Sequence, residues 1–257
     1  MNEGLRLGIL ISGEGTTATA VVKACQQGRL NMKPVVVISS REDAGGIEKA
    51  RNLGIDVETV RRADYETRER FGERLLEVLG DHQVDWVCQN GWLPLTPTNV
   101  VEKYSERIVN QHPGPLDPGR PDFGGKEMYG SRVSCARVAY EWVTEEKNPW
   151  TEVTVHRVTN EYDKGGLVRT ARMNFDGLGR RVTIAELIND PSELIRATEE
   201  LQRRLLPVEH ENVIEALAMV ARRERGLVRR DEILVAKENW EILEEVKKLA
   251  RNLYLKG

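Results

Sequence analysis

The segment Ile108-Val109-Asn110-Gln111-His112-Pro113 contains two side chains whose types and spacing suit chemistry on a carbonyl group. Side chains alternate between the two faces of a strand, so Asn110 and His112 are expected to point to the same side. Pro113 lacks an N–H group and cannot continue a central strand, which places the pair at the strand's end. Asn can stabilise an oxyanion without titrating, and His can exchange a proton near neutral pH. The segment therefore predicts an active site.

A third candidate lies in the glycine-rich turn from 160 to 166. Asp163 could hold a protonated His112 and relay a proton, although an isolated Asp in such a turn is more often a turn-former. His112, His156 and Asp163 could also be drawn as a metal site. No ligand spacing supports that reading, so we expect no metal.

The loop after the first predicted strand reads Ser12-Gly13-Glu14-Gly15-Thr16-Thr17 and opens a helix. Glycines permit a tight turn, and the free N–H groups at a helix start attract an anion. The loop could instead be an ordinary strand-to-helix turn with a threonine cap. At the first turn of a sheet of this kind we favour phosphate binding, which makes substrate contacts of Ser12, Gly13, Gly15, Thr16 and Thr17.

The same loop also fits a loose dinucleotide fingerprint, Gly13-x-Gly15-x-x-Ala18. Ser39, Ser40 and Arg41 follow the second predicted strand, where they would suit a ribose 2′-phosphate. An NADP-binding oxidoreductase is therefore the alternative from another class of enzyme.

Strands and helices alternate along the first half of the chain. Apolar runs predict buried strands, and helical spacing with terminal glycines predicts the helices between them, one of which should stop at Gly80. Short connections between them favour a doubly wound, mostly parallel α/β sheet. The predicted strands are 5–11, 35–38, 56–60, 84–88 and 108–111, and the predicted helices are 18–27, 44–53 and 66–79.

The second half begins with a proline- and glycine-rich loop, 113–130, of a length typical of binding loops or lids. A helix over 131–146 and a hairpin formed by 151–159 and 166–175 follow. Asp190-Pro191-Ser192-Glu193 predicts a helix start. Pro207 should interrupt or kink that helix.

The charged segment 222–230 should separate the body of the chain from a last amphipathic helix over 232–255. Ile233 and Trp240 are assigned to its apolar face. This helix packs either onto the body or onto a second subunit, which leaves a homodimer open. We divide the chain into a catalytic domain, 1–225, and a helical C-terminal extension, 226–257.

Composition limits the class of protein. The 257 residues carry a formal net charge of −3, which gives no overall attraction to nucleic acid or to an anionic membrane. Cys25, Cys88 and Cys135 lie far apart in apolar patterns and are expected to be buried free thiols. No apolar run suggests a signal peptide or a transmembrane helix, so a cytoplasmic location is expected.

Three motifs together resemble the folate-dependent formyltransferases. They are Ile11-Ser12-Gly13-Glu14-Gly15-Thr16, Asn110-Gln111-His112-Pro113, and Val155-His156-Arg157-Val158-Thr159 leading into Asp163-Lys164-Gly165-Gly166. The resemblance covers roughly residues 5 to 220 and implies a Rossmann-like sheet of formyltransferase type. It implies formyl transfer from 10-formyltetrahydrofolate, as a co-substrate, to a primary amine. Within the family, the amine of glycinamide ribonucleotide in purine synthesis fits best, and another sugar or nucleotide amine is the alternative.

The resemblance also implies roles for individual residues. Asn110 and His112 would stabilise the tetrahedral oxyanion, and Asp163 would keep His112 charged. Arg68 and Glu209 would otherwise be read as surface charges. The resemblance places Arg68 near the folate and Glu209 at the ribose. The pterin pocket would be lined by Leu93, Pro94, Leu95, Asn160, Glu161 and Tyr162.

Several positions depart from the family's pattern. Pro94 replaces a common arginine, Thr17 a common asparagine, and Lys164 a common glycine. The loop 113–130 is enlarged, and the tail beyond about 225 is an addition. The catalytic trio is retained while both substrate pockets are remodelled.

Overall fold

The computed structural model describes residues 4–146, 148–177, 181–222, 224 and 228–255. Within these ranges seven strands form one sheet in the order β3-β2-β1-β4-β5-β6-β7. The strands are β1 Leu5–Ile11, β2 Met32–Ser39, β3 Asp56–Thr59, β4 Trp86–Asn90, β5 Ile108–His112, β6 Trp150–Arg157 and β7 Leu167–Asn174. The helices are α1 Thr16–Gln26, α2 Gly46–Asn52, α3 Arg68–Asp81, α4 Thr98–Lys103, α5 Ser131–Thr144, α6 Ile184–Asn189, α7 Ser192–Ala221 and α8 Trp240–Leu253.

Strands β1 to β5 are parallel, and β6 and β7 add an antiparallel hairpin at one side. The predicted doubly wound, mostly parallel sheet is therefore confirmed. Leu7, Ile9 and Ile11 of β1 face a core shared with α1 and the C-terminal half of α7. Leu10 faces the opposite core, shared with α3 and α4. This alternation is the period of two expected for a strand that is buried on both faces.

A third core lies among helices. It is formed by α5, α6, the N-terminal half of α7, and α8. Helix α5 is buried along almost its whole length, and Arg137 is only 1% exposed. The Arg137 guanidinium lies over the rings of Phe123 and Trp150 and pairs with Glu141.

Five helices differ from the expectations drawn from the sequence. Helices α4 and α6 were not predicted, and α3 continues through Gly80 to Asp81. Helix α7 is not interrupted at Pro207, because packing on both cores outweighs one missing backbone bond, while a kink there stays a prediction. The last helix begins at Trp240 rather than 232, after a 3-10 turn at Lys237–Asn239.

The apolar face of the last helix is also smaller than predicted. Ile233 and Trp240 are 64% and 43% exposed, whereas Leu243, Val246 and Leu249 are buried. The predicted boundary at 225–226 lies outside the described residues. All three cysteines are free thiols, with Cys88 and Cys135 buried and Cys25 half-buried. Among the described residues, no helix has both the length and the apolar composition needed to cross a bilayer.

Candidate active site

A cavity of about 670 Å³ opens at the carboxyl ends of the parallel strands. It lies where the strand order reverses between β1 and β4, the place at which open α/β sheets bind ligands. It is lined by the ends of β4 and β5, the loop after β1, one face of α7, and the segments 125–130, 158–159 and 161–163. Pieces distant in sequence therefore meet at one site.

Asn110 and His112 line this cavity from the end of β5, as predicted for a same-face pair. Asn110 pairs across the antiparallel ladder with His156 of β6, and its Nδ2 lies 3.1 Å from His156 Nε2. His156 Nδ1 lies 2.7 Å from the Arg157 carbonyl oxygen, so this nitrogen is the donor and carries the proton. The contact with His156 orients the Asn110 amide.

Asp163 lies between the two histidines. Its Oδ2 is 3.6 Å from His112 Nδ1, and its Oδ1 is 3.4 Å from His156 Nε2. The Gly125 N–H group donates to Oδ2 at 2.8 Å. Asp163 has a φ of 57°, a left-handed conformation that Asp tolerates better than most residues. The turn therefore directs a carboxylate inward to within reach of His112.

Burial and charge act in opposite directions on this pair. Burial lowers the pKa of His112, and the charge of Asp163 only partly opposes that effect. Burial also raises the pKa of Asp163, but the His112 charge, the His156 hydrogen bond and the Gly125 N–H group outweigh it and bring this pKa to about 2. Asp163 is thus an anion at neutral pH, and His112 gives up its proton readily.

The second ring nitrogen of His112 is available for a ligand. Nε2 is buried and has no hydrogen-bond partner among the described residues. Gly114 lies beside it, and a Cβ there would come 3.5 Å from Nε2 and 2.3 Å from a Val133 methyl group. A buried nitrogen without a partner at a cavity wall is suited to a reacting oxygen or nitrogen atom.

The loop after β1 presents backbone groups to the other end of the cavity. Gly13, Gly15, Thr16 and Thr17 line it, at the N-terminus of α1. The alternative of a threonine cap is wrong, because Gly15 is the N-cap and no side chain caps the helix. The N–H groups of the first turn are therefore open to an anion. Gly15 is required here, because a Cβ would approach Gly46 Cα to 2.7 Å.

Ser12 is not brought into the cavity. Its Oγ is 2.6 Å from Ser40 Oγ and accepts a hydrogen bond from the Leu93 N–H group at 2.9 Å. It joins two loops that border the cavity.

The residues assigned to a pterin pocket are mostly together. Leu93, Pro94 and Leu95 line the cavity opposite Glu161 and Tyr162. The Tyr162 hydroxyl lies 3.5 Å from the Leu93 carbonyl oxygen. Asn160 and Arg68 are exposed and do not line it, although Arg68 is close enough to act electrostatically on Tyr162.

Glu209 lines the cavity from α7. Burial raises the pKa of its carboxyl to about 8, and it has no hydrogen bond or ion pair with another described residue. A carboxyl group in such a position is suited to binding ligand hydroxyl groups.

The predicted binding loop 113–130 contributes Lys126–Gly130 to the cavity, although sequence reasoning named none of these residues individually. Two α7 residues that also line it, Gln202 and Arg203, were missed. The adjacent Gly124-Gly125 pair was the available signal, since such pairs permit unusual backbone directions. Among the described residues, no group of three or more His, Cys, Asp or Glu is arranged to hold a metal ion.

The structure does not favour the alternative of an NADP-binding oxidoreductase, because the side chains expected to bind the ribose 2′-phosphate have other partners. Ser39 Oγ donates to the Arg41 carbonyl, and Ser40 is bonded to Ser12. The Arg41 guanidinium is paired with Asp43 at 2.7 Å. These three side chains are engaged with one another and their neighbours rather than directed at a common anion site.

Residues 5–189 match the formyl transferase family (Formyl_trans_N). This chain belongs to the formyltransferase family. The match spans β1 to α6, so it includes the Asn110–His112 pair and Asp163. Helices α7 and α8 follow the matched segment.

Individual relatives agree with this assignment. The chain is 30% identical over 216 residues to the chloroplastic phosphoribosylglycinamide formyltransferase of Arabidopsis thaliana. The aligned region covers 84% of this chain and 65% of that protein. The chain is 28% identical over 165 residues to the phosphoribosylglycinamide formyltransferase of Escherichia coli, spanning 64% of this chain and 71% of that protein. A plant relative from Vigna unguiculata is matched over 60% of its length. The chain thus spans less than two thirds of these two plant relatives.

Solved formyltransferase structures share the fold. Glycinamide ribonucleotide transformylase 1 from Symbiobacterium toebii superimposes with a TM-score of 0.69 at 29% identity, covering 90% of this chain and 93% of that one. The corresponding protein from Geobacillus kaustophilus gives 0.66 at 26% identity, covering 85% and 99%.

Proposed function

We propose that this formyltransferase-family protein transfers the formyl group of 10-formyltetrahydrofolate to the amine of glycinamide ribonucleotide in purine synthesis. The observation that carries the proposal is the meeting of Asn110, His112 and Asp163 in a cavity whose far end presents the N-terminus of α1. The names of its relatives and the family match support the choice of reaction.

In the proposed reaction the substrate amine attacks the formyl carbon, and the carbonyl oxygen becomes an oxyanion. Asn110 Nδ2 and His112 Nε2, in the protonated form of the ring, donate hydrogen bonds to this oxygen. The lowered pKa of His112 makes that form a ready proton donor. The bond from the formyl carbon to folate N10 then breaks, and the amine proton passes to N10. Asp163 stabilises the imidazolium while the proton moves, because its carboxylate faces His112 Nδ1.

The acceptor would lie between the loop after β1 and α7. Gly13, Gly15, Thr16 and Thr17 would bind its phosphate through N–H groups and hydroxyls, and Glu209 would bind ribose hydroxyls. This arrangement leaves the amine directed at Asn110 and His112.

The donor would occupy the other half of the cavity. Leu93, Pro94 and Leu95 would pack on one side of the pterin, and Glu161 and Tyr162 on the other. Pro94 supplies no backbone donor there, so the pterin's hydrogen bonds must come from its neighbours. We propose that Arg68 and Asn160 contact the exposed part of the folate and that Ser12 supports the phosphate loop. We propose that the reaction uses no metal.

The direct test mixes the protein with 10-formyltetrahydrofolate and glycinamide ribonucleotide and follows release of tetrahydrofolate. We expect turnover by the wild-type protein and a fall of about 10²–10³-fold in kcat for Asn110→Ala. His112→Ala should lose at least as much, while His82→Ala, outside the cavity, should match the wild type. Full activity of His112→Ala, or no turnover by folded wild-type protein, would contradict the proposal.

Two expectations from the sequence complete the proposal. We propose a cytoplasmic location and, as the form in solution, either a monomer or a homodimer, with no nucleic acid or membrane partner. Fractionation of the source cells tests the first, and light scattering coupled to size-exclusion chromatography tests the second.

A further inference from the structure

One peptide group beside the candidate active site is held at both ends. The N–H group of Gly125 donates to Asp163 Oδ2 at 2.8 Å. The carbonyl oxygen of Gly124 belongs to the same peptide group, and Lys247 Nζ donates to it at 3.1 Å. Lys247 is in α8, beyond the segment that matches the formyltransferase family.

The planarity of the peptide bond couples these two contacts. Its carbonyl and N–H groups lie in one plane and point in opposite directions, so fixing one fixes the other. Gly124 and Gly125 flank the peptide bond, and Gly125 has a φ of 104°. Without side chains, two glycines offer little resistance to rotation of this group. The Lys247 ammonium also polarises the carbonyl and strengthens the hydrogen bond at the other end.

The rest of the loop supports this peptide but does not bind its carbonyl. The Gly124 N–H group donates to Asp122 Oδ1 at 2.9 Å, and Lys164 Nζ lies 3.4 Å from Asp122 Oδ2. A Cβ on Gly124 would come 2.8 Å from Asp163 Cβ, so the loop lies directly against the candidate catalytic residue.

Lys247 is itself firmly placed. It is 8% exposed, and burial lowers the pKa of its ammonium group, with Glu244 and Asp122 opposing the effect. The end of α8 is tied to α5, because the Arg132 guanidinium donates to the Tyr254 and Leu255 carbonyls. A buried ammonium on an anchored helix is costly unless it is hydrogen-bonded, and Gly124 O is its hydrogen-bond acceptor.

We infer that Lys247 is a positioning residue that holds the Gly124–Gly125 peptide in the orientation in which it binds Asp163. The inference rests on the proposed function for the role of Asp163. It gives α8 a part in catalysis, although the helix does not touch the cavity. The titratable and charged groups around the contact are His112, His156, Asp122, Lys164, Glu244 and Arg251.

Lys247→Met tests this inference, with Lys248→Met as the matched control. Lys248 is the adjacent residue of the same helix and is exposed. Met keeps the length of the side chain but has no N–H donor. We expect Lys247→Met to lower kcat roughly tenfold with little change in either KM, because only the alignment of the reacting groups is lost. Lys248→Met should behave as the wild type.

Two-dimensional ¹H–¹⁵N NMR supplies a readout that needs no turnover. In the wild type, the Gly125 amide proton should lie downfield and titrate with Asp163. In Lys247→Met it should move upfield, and the Asp163 midpoint should rise above its wild-type value, since Asp163 loses a donor and a nearby cation. Lys247→Gln, which keeps a donor without the charge, should lie between the two.

The outcomes separate the inference from the proposed function. A folded wild-type protein without turnover contradicts the proposed function, while the NMR measurement still decides the anchoring of the peptide. An active wild type with Lys247→Met matching Lys248→Met in kcat and in the Gly125 signal overturns the inference. A lower Tm alone, without those changes, assigns Lys247 a merely structural role and also overturns it.

Discussion

Asp163 is an anion among groups that each favour its charged form. It is 8% exposed, and two histidines and the Gly125 N–H group surround it. A carboxylate removed from water in this way is stable only while those partners are present. The same contacts therefore contribute both to the folded state and to the orientation of His112.

This linkage gives a pH-dependent prediction for Asp163→Asn. The folded pKa of about 2 lies below the ordinary 3.8, so Asp163 contributes stability above pH 3.8 and loses it as pH falls towards 2. The contribution is on the order of 2 kcal/mol. Urea unfolding at several pH values should show the wild type and Asp163→Asn differing most near neutrality and converging at low pH. A constant difference between pH 2 and 7 would contradict this account.

Glu209 shows the opposite behaviour, because its half-buried carboxyl has no partner among the described residues. Its pKa of about 8 lies above the ordinary 4.5, so the unfolded chain ionises first as pH rises. Glu209 therefore destabilises the fold progressively from pH 4.5 to about 8. Glu209→Gln should be more stable than the wild type, by a margin that grows over this range. If the free energies of unfolding of the two proteins differed by a constant amount across this pH range, the prediction would be wrong, and Glu209 would have a partner that stabilises its charged form.

At the scale of elements, the hairpin turn between β6 and β7 carries Asp163 and admits little change. A Cβ on Gly165 would lie 1.8 Å from the Arg157 carbonyl oxygen, which is a backbone atom of the neighbouring strand. Gly165→Ala should therefore displace the turn, lower Tm and remove most formyl transfer. Gly80→Ala is the control, since Gly80 lies inside α3 with open space around its Cβ position. It should stabilise by about 0.5–1 kcal/mol. Wild-type activity in Gly165→Ala would contradict this prediction, because it would show that the turn accommodates the added methyl group without displacing Asp163.

The elements that sequence predicted well are those with a strong local pattern. β1 matches its predicted range, and the β6–β7 hairpin is present, because apolar runs and turn residues are local signals. The helices that were missed, α4 and α6, have only six residues each and too few turns to show a period. Gly80 and Pro207 were given too much weight as residues that end a helix. Whether a helix continues is decided by the burial of neighbouring positions.

For the candidate site too, sequence predicted what is local and not what joins distant segments. Asn110 and His112 were predicted as a same-face pair because they belong to one strand. The Gly125 contact to Asp163 joins residues 38 apart, and no local pattern contains it. Ser12 was assigned from the pattern of the glycine loop, and Asn160 and Arg68 by resemblance to the family. Only the assembled loops place these three outside the cavity.

At the scale of the whole molecule, α7 connects two cores. Leu194 and Leu201 pack into the core formed with α5 and α8, whereas Val213 and Leu217 pack into the core beneath the sheet. This 30-residue helix therefore contributes apolar residues to both cores. The division of the chain near residue 225 remains a prediction, and the core that α7 shares with α5 and α8 supplies a test of it.

Leu243→Ala provides that test. Leu243 of α8 is fully buried in the core shared with α5 and α7, so its truncation should cost about 2–5 kcal/mol. Leu255→Ala, at an 80% exposed position, should change stability by no more than about 0.5 kcal/mol. Because α7 joins the cores, we expect the loss to appear as an earlier single urea transition, reported alike by tryptophan fluorescence and far-UV circular dichroism. Two separated transitions, with only the first shifted by Leu243→Ala, would instead establish the C-terminal segment as an independent unit, as the division near 225 predicts.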